Sequence, residues 1–271
     1  MPNQTINGYD MHYEVFGTGQ PTVIIHGGLG GGEGSENIVS QHANQLSESC
    51  QLVVFDRRAA GKSNSPSSGY SIKNYSQDVY HLLAHLSIER AHIVGSSAGG
   101  PIAIQFALDN PGKTHTLGLI NTMSYQDQTE RIKRQQELAI LEDTSASSKR
   151  TQVANALDVR RPGLREAEPT HFQHLLELNL KQYDGIVSTM RSYIDISDSI
   201  DKRLNEITMP TVIIHGSSDT RIPIRCGKDL NKKIQNATFH TIEGAEHGLL
   251  SNEPGKVRAI LVDFWAHNPI I

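Results

Sequence analysis

The chain is poor in cysteine, in tryptophan and in long apolar runs. It has two cysteines among 271 residues, Cys50 and Cys226. Two isolated thiols make neither a disulfide framework nor a zinc site. The longest apolar runs, such as Thr22 to Ile25 and Thr211 to Ile214, are far too short to span a bilayer. No membrane partner is therefore expected. The first ten residues, MPNQTINGYD, lack a basic stretch followed by an apolar one. That pattern excludes a signal peptide, so the expected compartment is cytoplasmic. There is no run of Lys or Arg, and the formal net charge is -4. Nucleic acid, which selects a basic face, is not an expected partner. No internal repeat and no low-complexity tract interrupts the sequence.

What is present is an ordinary folded composition, 20% charged and 37% hydrophobic. The length suits one α/β domain with an insertion. Short apolar runs recur: 11–17 (MHYEVFG), 22–28, 51–56, 91–97, 114–122, 210–219 and 237–244. Continuous Val/Ile runs of this length suit strands covered on both faces. Helical patterns lie between them, at 74–86, 101–112 and 253–268. In the first, Val79, Leu82, Leu83 and Leu86 share one stripe. The alternation predicts a doubly wound, mostly parallel sheet flanked by helices. From 124 to 206 the residues are polar and helix-prone, with no convincing strand. This segment reads as a helical insertion over one edge of the sheet. It divides the chain into a core of 1–123 and 207–271 and a lid of 124–206.

Functional groups in such sheets collect beyond the carboxyl ends of strands. The run at 91–97 ends there in Gly95-Ser96-Ser97-Ala98-Gly99, which fits G-x-S-x-G with Ser97 at its centre. A serine on a sharp strand-to-helix bend needs tiny neighbours two positions away on each side. Ser96 fails that requirement, because Val94 precedes it by two. The alternative is a glycine-rich strand end with serines as helix caps.

A serine hydroxyl needs a base and an acid to orient that base. Of 13 histidines, His247 stands out, in a small-residue loop after the last strand run. His81 and His85 share metal-like i, i+4 spacing, and His171 and His174 lie in the insertion; none of these has the further ligands a metal site requires. Asp219 follows the strand run at 210–216 and is placed to accept a histidine N–H; a helix-capping role is its alternative. Asp127 is the rival acid. The turn Asp56 to Ser63 ends like a phosphate-binding loop, but its first position is Asp56 where glycine is required.

Taken together, these pieces resemble the α/β-hydrolase family over nearly the whole chain. They are His26-Gly27-Gly28, the Asp56-to-Ser63 turn, the bend at Ser97, Asp219 and His247, and they occur in that family's order. The resemblance implies a mostly parallel eight-stranded sheet, a helical lid and no cofactor or metal. It implies Ser97, Asp219 and His247 as a catalytic triad, with the N–H groups of Gly28 and Ala98 as oxyanion donors. The expected reaction is cleavage of a small or medium carboxylic ester, thioester or lactone by a serine hydrolase. An amidase or aminopeptidase would need a lid carboxylate to hold an amine, for which Glu166 and Glu168 are candidates. A C–C bond hydrolase could use the same triad. A non-catalytic small-molecule receptor on this scaffold is the third alternative. Serine at 97 departs from haloalkane dehalogenases and epoxide hydrolases, which use an aspartate nucleophile. The expected partner is a small acyl substrate; neither monomer nor homodimer is favoured.

Overall fold

A computed structural model describes residues 3–125, 128–194 and 199–270. The chain opens with strands β1 (Gln4–Ile6) and β2 (Tyr9–Met11), then β3 (Tyr13–Phe16) and β4 (Pro21–Ile25). Helix α1 (Glu36–Leu46), β5 (Gln51–Phe55) and α2 (Ile72–His85) follow. Next come β6 (Ala91–Ser96), α3 (Gly99–Asp109) and β7 (Thr114–Ile120). The insertion contributes α4 (Gln128–Leu141), α5 (Lys149–Arg160), α6 (Leu164–Ala167), α7 (Pro169–Lys181) and α8 (Tyr183–Ile194). A 3₁₀ turn at Asp201–Glu206 leads into β8 (Thr211–Gly216). The chain closes with α9 (Ile224–Lys233), β9 (Ala237–Ile242), α10 (Leu249–Asn252) and α11 (Pro254–Ala266).

The central sheet runs β3-β5-β4-β6-β7-β8-β9. Only β3 is antiparallel to its neighbour. Among the described residues the sheet has seven strands, which corrects the eight implied by the family resemblance. β1 and β2 form a separate hairpin, turned by Asn7-Gly8 with φ of 46° and 76°. Both residues are left-handed, the requirement of a two-residue hairpin turn. The chain leaves one ladder for the other at His12. Its N–H donates to Ser63 Oγ at 2.9 Å and its carbonyl accepts the Asp56 N–H at 2.9 Å.

Alternation along the buried strands divides the core. Val23, Ile25, Val53, Ile93, Leu117 and Ile213 point toward α2, α3 and α9. Ile24, Val54, Val94, Ile120 and Ile214 point toward α1 and α11. Each such side chain contributes about 1.5–3 kcal/mol by leaving water. Val79, Leu82 and Leu83 of the α2 stripe are fully buried, and Leu86 packs at its edge. Trp265 is core, packed on the α11 side. The insertion has its own small core of Leu157, Phe172, Leu175, Leu176, Ile186 and Met190. Leu29, from the glycine-rich loop after β4, packs against both this core and the sheet's. The loop fits so closely beneath α7 that a Cβ on Gly31 would lie 2.3 Å from Asn179 Oδ1.

Candidate active site

β6 ends at Ser96 and α3 begins at Gly99, so the chain reverses within two residues. Ser97 sits on the bend with φ of 50°, a left-handed conformation that costs a non-glycine residue about 1–2 kcal/mol. The bend is held on several sides. The Ser97 N–H donates to the Ile120 carbonyl at 2.9 Å. The Ser97 carbonyl accepts Thr122 Oγ1 at 2.6 Å and the Gly100 N–H at 3.0 Å. A Cβ on Gly95 would meet the Gly99 carbonyl at 2.5 Å, and one on Gly99 would meet the Ile25 carbonyl at 2.3 Å. Those backbone atoms have no room to withdraw, which is why glycine flanks the serine on both sides.

His247 lies in the loop between β9 and α10. Its Nε2 is 2.9 Å from Ser97 Oγ and its Nδ1 is 2.8 Å from Asp219 Oδ2. Asp219 ends the turn after β8, and its side chain is fully buried. Oδ1 accepts the N–H groups of Arg221 and Ile222, both at 2.9 Å. Oδ2 accepts Asn121 Nδ2 at 2.7 Å beside His247. Burial pushes the Asp219 carboxyl up, but the His247 hydrogen bond and charge and the two amides hold it below the ordinary carboxylate value. A carboxylate in this setting stays ionised and fixes the tautomer with the proton on His247 Nδ1. Nε2 is then free to accept the serine proton. The rival acid, Asp127, lies outside the described residues.

Gly27 backs onto the serine: a Cβ there would lie 3.0 Å from Ser97 Cβ. Gly28 follows with φ of 85°. Both Gly28 and Ala98 line the cavity that contains Ser97 and His247. Among the described residues, neither of these two N–H groups donates a hydrogen bond. Behind the loop, His26 is buried. Its Nδ1 donates to the Gly27 carbonyl at 2.7 Å and its Nε2 accepts the Arg57 N–H at 3.1 Å. Burial first, and the Arg57 charge second, hold His26 well below the usual imidazole value, so it is a neutral strut.

Three further side chains were not singled out by sequence reasoning. Arg57, 1% exposed, donates Nη2 to the carbonyls of Gly27 and Gly28 and Nη1 to the Tyr193 hydroxyl at 3.1 Å. Tyr193, from α8, donates in turn to the Ala98 carbonyl. Asn121, at the end of β7 with φ of 43°, ties the Asp219 carboxylate to the Gly216 N–H and the Glu246 carbonyl. An asparagine just past a strand is a weak clue, since side chains at such ends usually cap turns. The Asp56 turn carries no phosphate-type cradle. Its carboxylate accepts Ser35 N–H and Oγ and the Lys62 N–H, anchoring the glycine loop.

The cavity has a volume of about 290 Å³ and is walled by the glycine loop, the serine bend, the histidine loop and helices of the insertion. Glu166 and Glu168 do not line it and are exposed, which corrects their candidacy as amine holders. His171 instead faces Glu33 across 3.5 Å, and His85 bonds the Tyr13 hydroxyl at 3.1 Å. Among the described residues, no group of three or more His, Cys, Asp or Glu stands close enough to hold a metal ion.

A parallel sheet with a serine bend after β6, an acid turn after β8 and a histidine loop after β9 defines an α/β hydrolase. The sequence profile of the α/β-hydrolase fold matches residues 21–144, and the chain has that fold. It is 28% identical to a putative carbamate hydrolase, RutD, of Caulobacter sp. (strain K31), over 97% of this chain and 98% of the relative. Among solved structures, the enol-lactonase from Burkholderia xenovorans LB400 superposes with a TM-score of 0.80 at 20% identity, covering 98% of this chain and all of that one. The esterase RhEst1 from Rhodococcus sp. ECU1013 gives 0.78 at 20% identity, covering 99% of each chain. The protein is a hydrolase of this fold.

Proposed function

We propose that the chain hydrolyses a small or medium carboxylic ester, thioester or lactone through an acyl-enzyme on Ser97. The observation that carries this reading is the pair of contacts at His247, 2.9 Å to Ser97 Oγ and 2.8 Å to Asp219 Oδ2. Ser97 Oγ attacks the acyl carbon while His247 Nε2 takes its proton. The N–H groups of Gly28 and Ala98 hold the oxyanion as it forms; losing one such donor typically costs about 100- to 1000-fold in kcat. The imidazolium, stabilised by Asp219, then protonates the departing alcohol or thiol. In a lactone the leaving oxygen stays tethered to the acyl chain. Water attacks the acyl-enzyme, giving its proton to the same nitrogen, and the acid is released with Ser97 restored. Residues 124–206 serve as the lid, and α4, α5, α7 and α8 supply part of the cavity wall. The substrate is a small molecule, and the protein works in the cytoplasm, where Cys50 and Cys226 need no disulfide.

An amidase or aminopeptidase loses support because the candidate lid carboxylates stand outside the cavity. A pure receptor would not require a base held between serine and acid. The name of the Caulobacter relative favours one more substrate class, a carbamate, whose carbonyl would meet the same serine. The test is labelling by a fluorophosphonate, with ester turnover assayed alongside. The wild type should label at Ser97 and hydrolyse p-nitrophenyl esters. Ser97→Ala should do neither while keeping its circular dichroism spectrum. A folded wild type that neither labels nor turns over esters, lactones or carbamate would overturn the proposal.

A further inference from the structure

Another part of the same cavity wall carries a charge pattern that acyl transfer does not use. Arg134 of α4, Arg160 at the end of α5, Arg161 and Arg221 all line it. Among the described residues, two carboxylates line it with them, Glu137 and Glu33, and Glu33 faces His171 at 3.5 Å. Glu137 is shared. It takes Arg134 Nη1 on both oxygens, at 3.0 and 3.1 Å, and lies 3.8 Å from Arg160 Nε. Arg221 spends one Nη on the Arg160 carbonyl. The side chains of Arg134 and Arg160 are 14% and 15% exposed, yet Nε of each is buried without an acceptor among the described residues. Burial, opposed by Glu137 and reinforced by Arg134 and Arg221, lowers the pKa of Arg160.

A cluster that only tied helices together would match its charges, because a buried donor left unmade is costly. Here the cations outnumber the carboxylates, and the surplus faces the space where substrate binds. An ammonium group is repelled by such a wall. A carboxylate fits it, since the planar guanidinium fork matches two carboxylate oxygens. We propose that Arg134, Arg160 and Arg221 hold a free carboxylate on the substrate, which is therefore a small monoanionic ester or lactone. This rests on the ester-cleaving reading of Ser97, and the cavity volume of about 290 Å³ limits the size of the molecule.

The experiment compares monomethyl esters of succinate, glutarate and adipate with uncharged methyl esters of equal chain length. For the best member of the series, kcat/KM should exceed that of its neutral twin by about 10- to 150-fold, the range of a charge-assisted pair. Arg160→Gln and Arg221→Gln should each cut this ratio by at least about ten-fold, while Arg160→Lys keeps part of it. A second readout needs no turnover: the matching dicarboxylate should bind folded Ser97→Ala in calorimetry, and its diamide should bind at least about ten-fold more weakly. Equal kcat/KM for charged and neutral esters, with equal binding of dicarboxylate and diamide, would overturn the carboxylate site and leave the serine reading standing. Tight dicarboxylate binding without Ser97-dependent turnover of any ester would overturn the serine reading and leave the arginine site standing.

Discussion

Asn121 offers a quantitative test of how the acid is held. It is 1% exposed, sits at a φ of 43°, and makes three hydrogen bonds that join β7, β8 and the histidine loop. Alanine at this position leaves the Gly216 N–H without its acceptor, at a cost of about 1–3 kcal/mol. It removes one of the donors to a buried carboxylate, costing about 1.5–3 kcal/mol more. Alanine also tolerates a left-handed backbone less well than asparagine, adding about 1 kcal/mol. The sum is roughly 3.5–7 kcal/mol, which lowers the melting temperature by on the order of 10–20 °C in a chain of this size. Glycine should recover only the backbone part, about 1 kcal/mol. Activity should suffer less than stability, because Asp219 keeps the amides of Arg221 and Ile222 on Oδ1 and His247 on Oδ2. We expect kcat to fall about ten-fold, the cost of roughly one hydrogen bond. Differential scanning calorimetry and ester kinetics on Asn121→Ala and Asn121→Gly read the two effects separately. An unchanged melting temperature, or a kcat loss as large as that of removing the Asp219 charge, would refute the reasoning.

Asp219→Asn should cut kcat by on the order of 10⁴-fold, because an amide presents the wrong partner to His247 Nδ1; if it keeps most activity while Asp127→Asn loses it, Asp127 is the acid. Arg57→Met keeps the length but removes the donors to the Gly27 and Gly28 carbonyls. It should lower kcat about ten-fold or more with little change in KM for a neutral ester, and an unchanged kcat in folded protein contradicts that role. Acid should destabilise the fold early. Burial first, and then His115, pushes His92 down to about 3, and burial also lowers His26 and His215. A histidine whose folded value lies below its unfolded one binds its proton only on unfolding. Stability is therefore full above the unfolded value of about 6.5 and falls by about 1.4 kcal/mol per pH unit for each such group. Urea midpoints between pH 7 and 5 measure the slope, and a flat profile would show that these histidines charge without unfolding the protein.

Seven runs of strand-like sequence correspond to the seven strands of the central sheet among the described residues; the inner ones are apolar blocks buried on both faces, while the edge strands β3 and β9 are only partly buried. The hairpin of β1 and β2 escaped that pattern. Its strands are three residues each, and its one strong clue is the Asn7-Gly8 turn. Ser97, Asp219 and His247 were legible as individual residues because each follows a strand in a small-residue loop, and the structure brings the three together. Asn121 was not, since its importance comes from φ and from partners in β8 and the loop after β9. The arginine wall was hidden for a different reason. Arg134 and Arg160 are far apart in a polar stretch where charged residues ordinarily face water, and Arg221 lies in the separate turn after β8. Only the packing of α4 and α5 against the acid turn makes them neighbours.

The buried Arg57 side chain has no carboxylate within ion-pair distance among the described residues, an expensive arrangement unless its field is used. Its acceptors indicate the use. The Gly27 carbonyl that it bonds belongs to the same peptide group as the Gly28 N–H. The Ser97 carbonyl that accepts Thr122 Oγ1 and the Gly100 N–H belongs to the same peptide group as the Ala98 N–H. A peptide whose oxygen accepts a hydrogen bond is polarised, and its N–H becomes a stronger donor. Both proposed oxyanion amides are thus strengthened from behind, one by a full positive charge. Tyr193 links the two arms, accepting from Arg57 and donating to the Ala98 carbonyl. That residue belongs to α8, so the insertion reaches down to the serine bend through a buried, charge-assisted contact. Any movement of α8 away from the sheet would have to break this link.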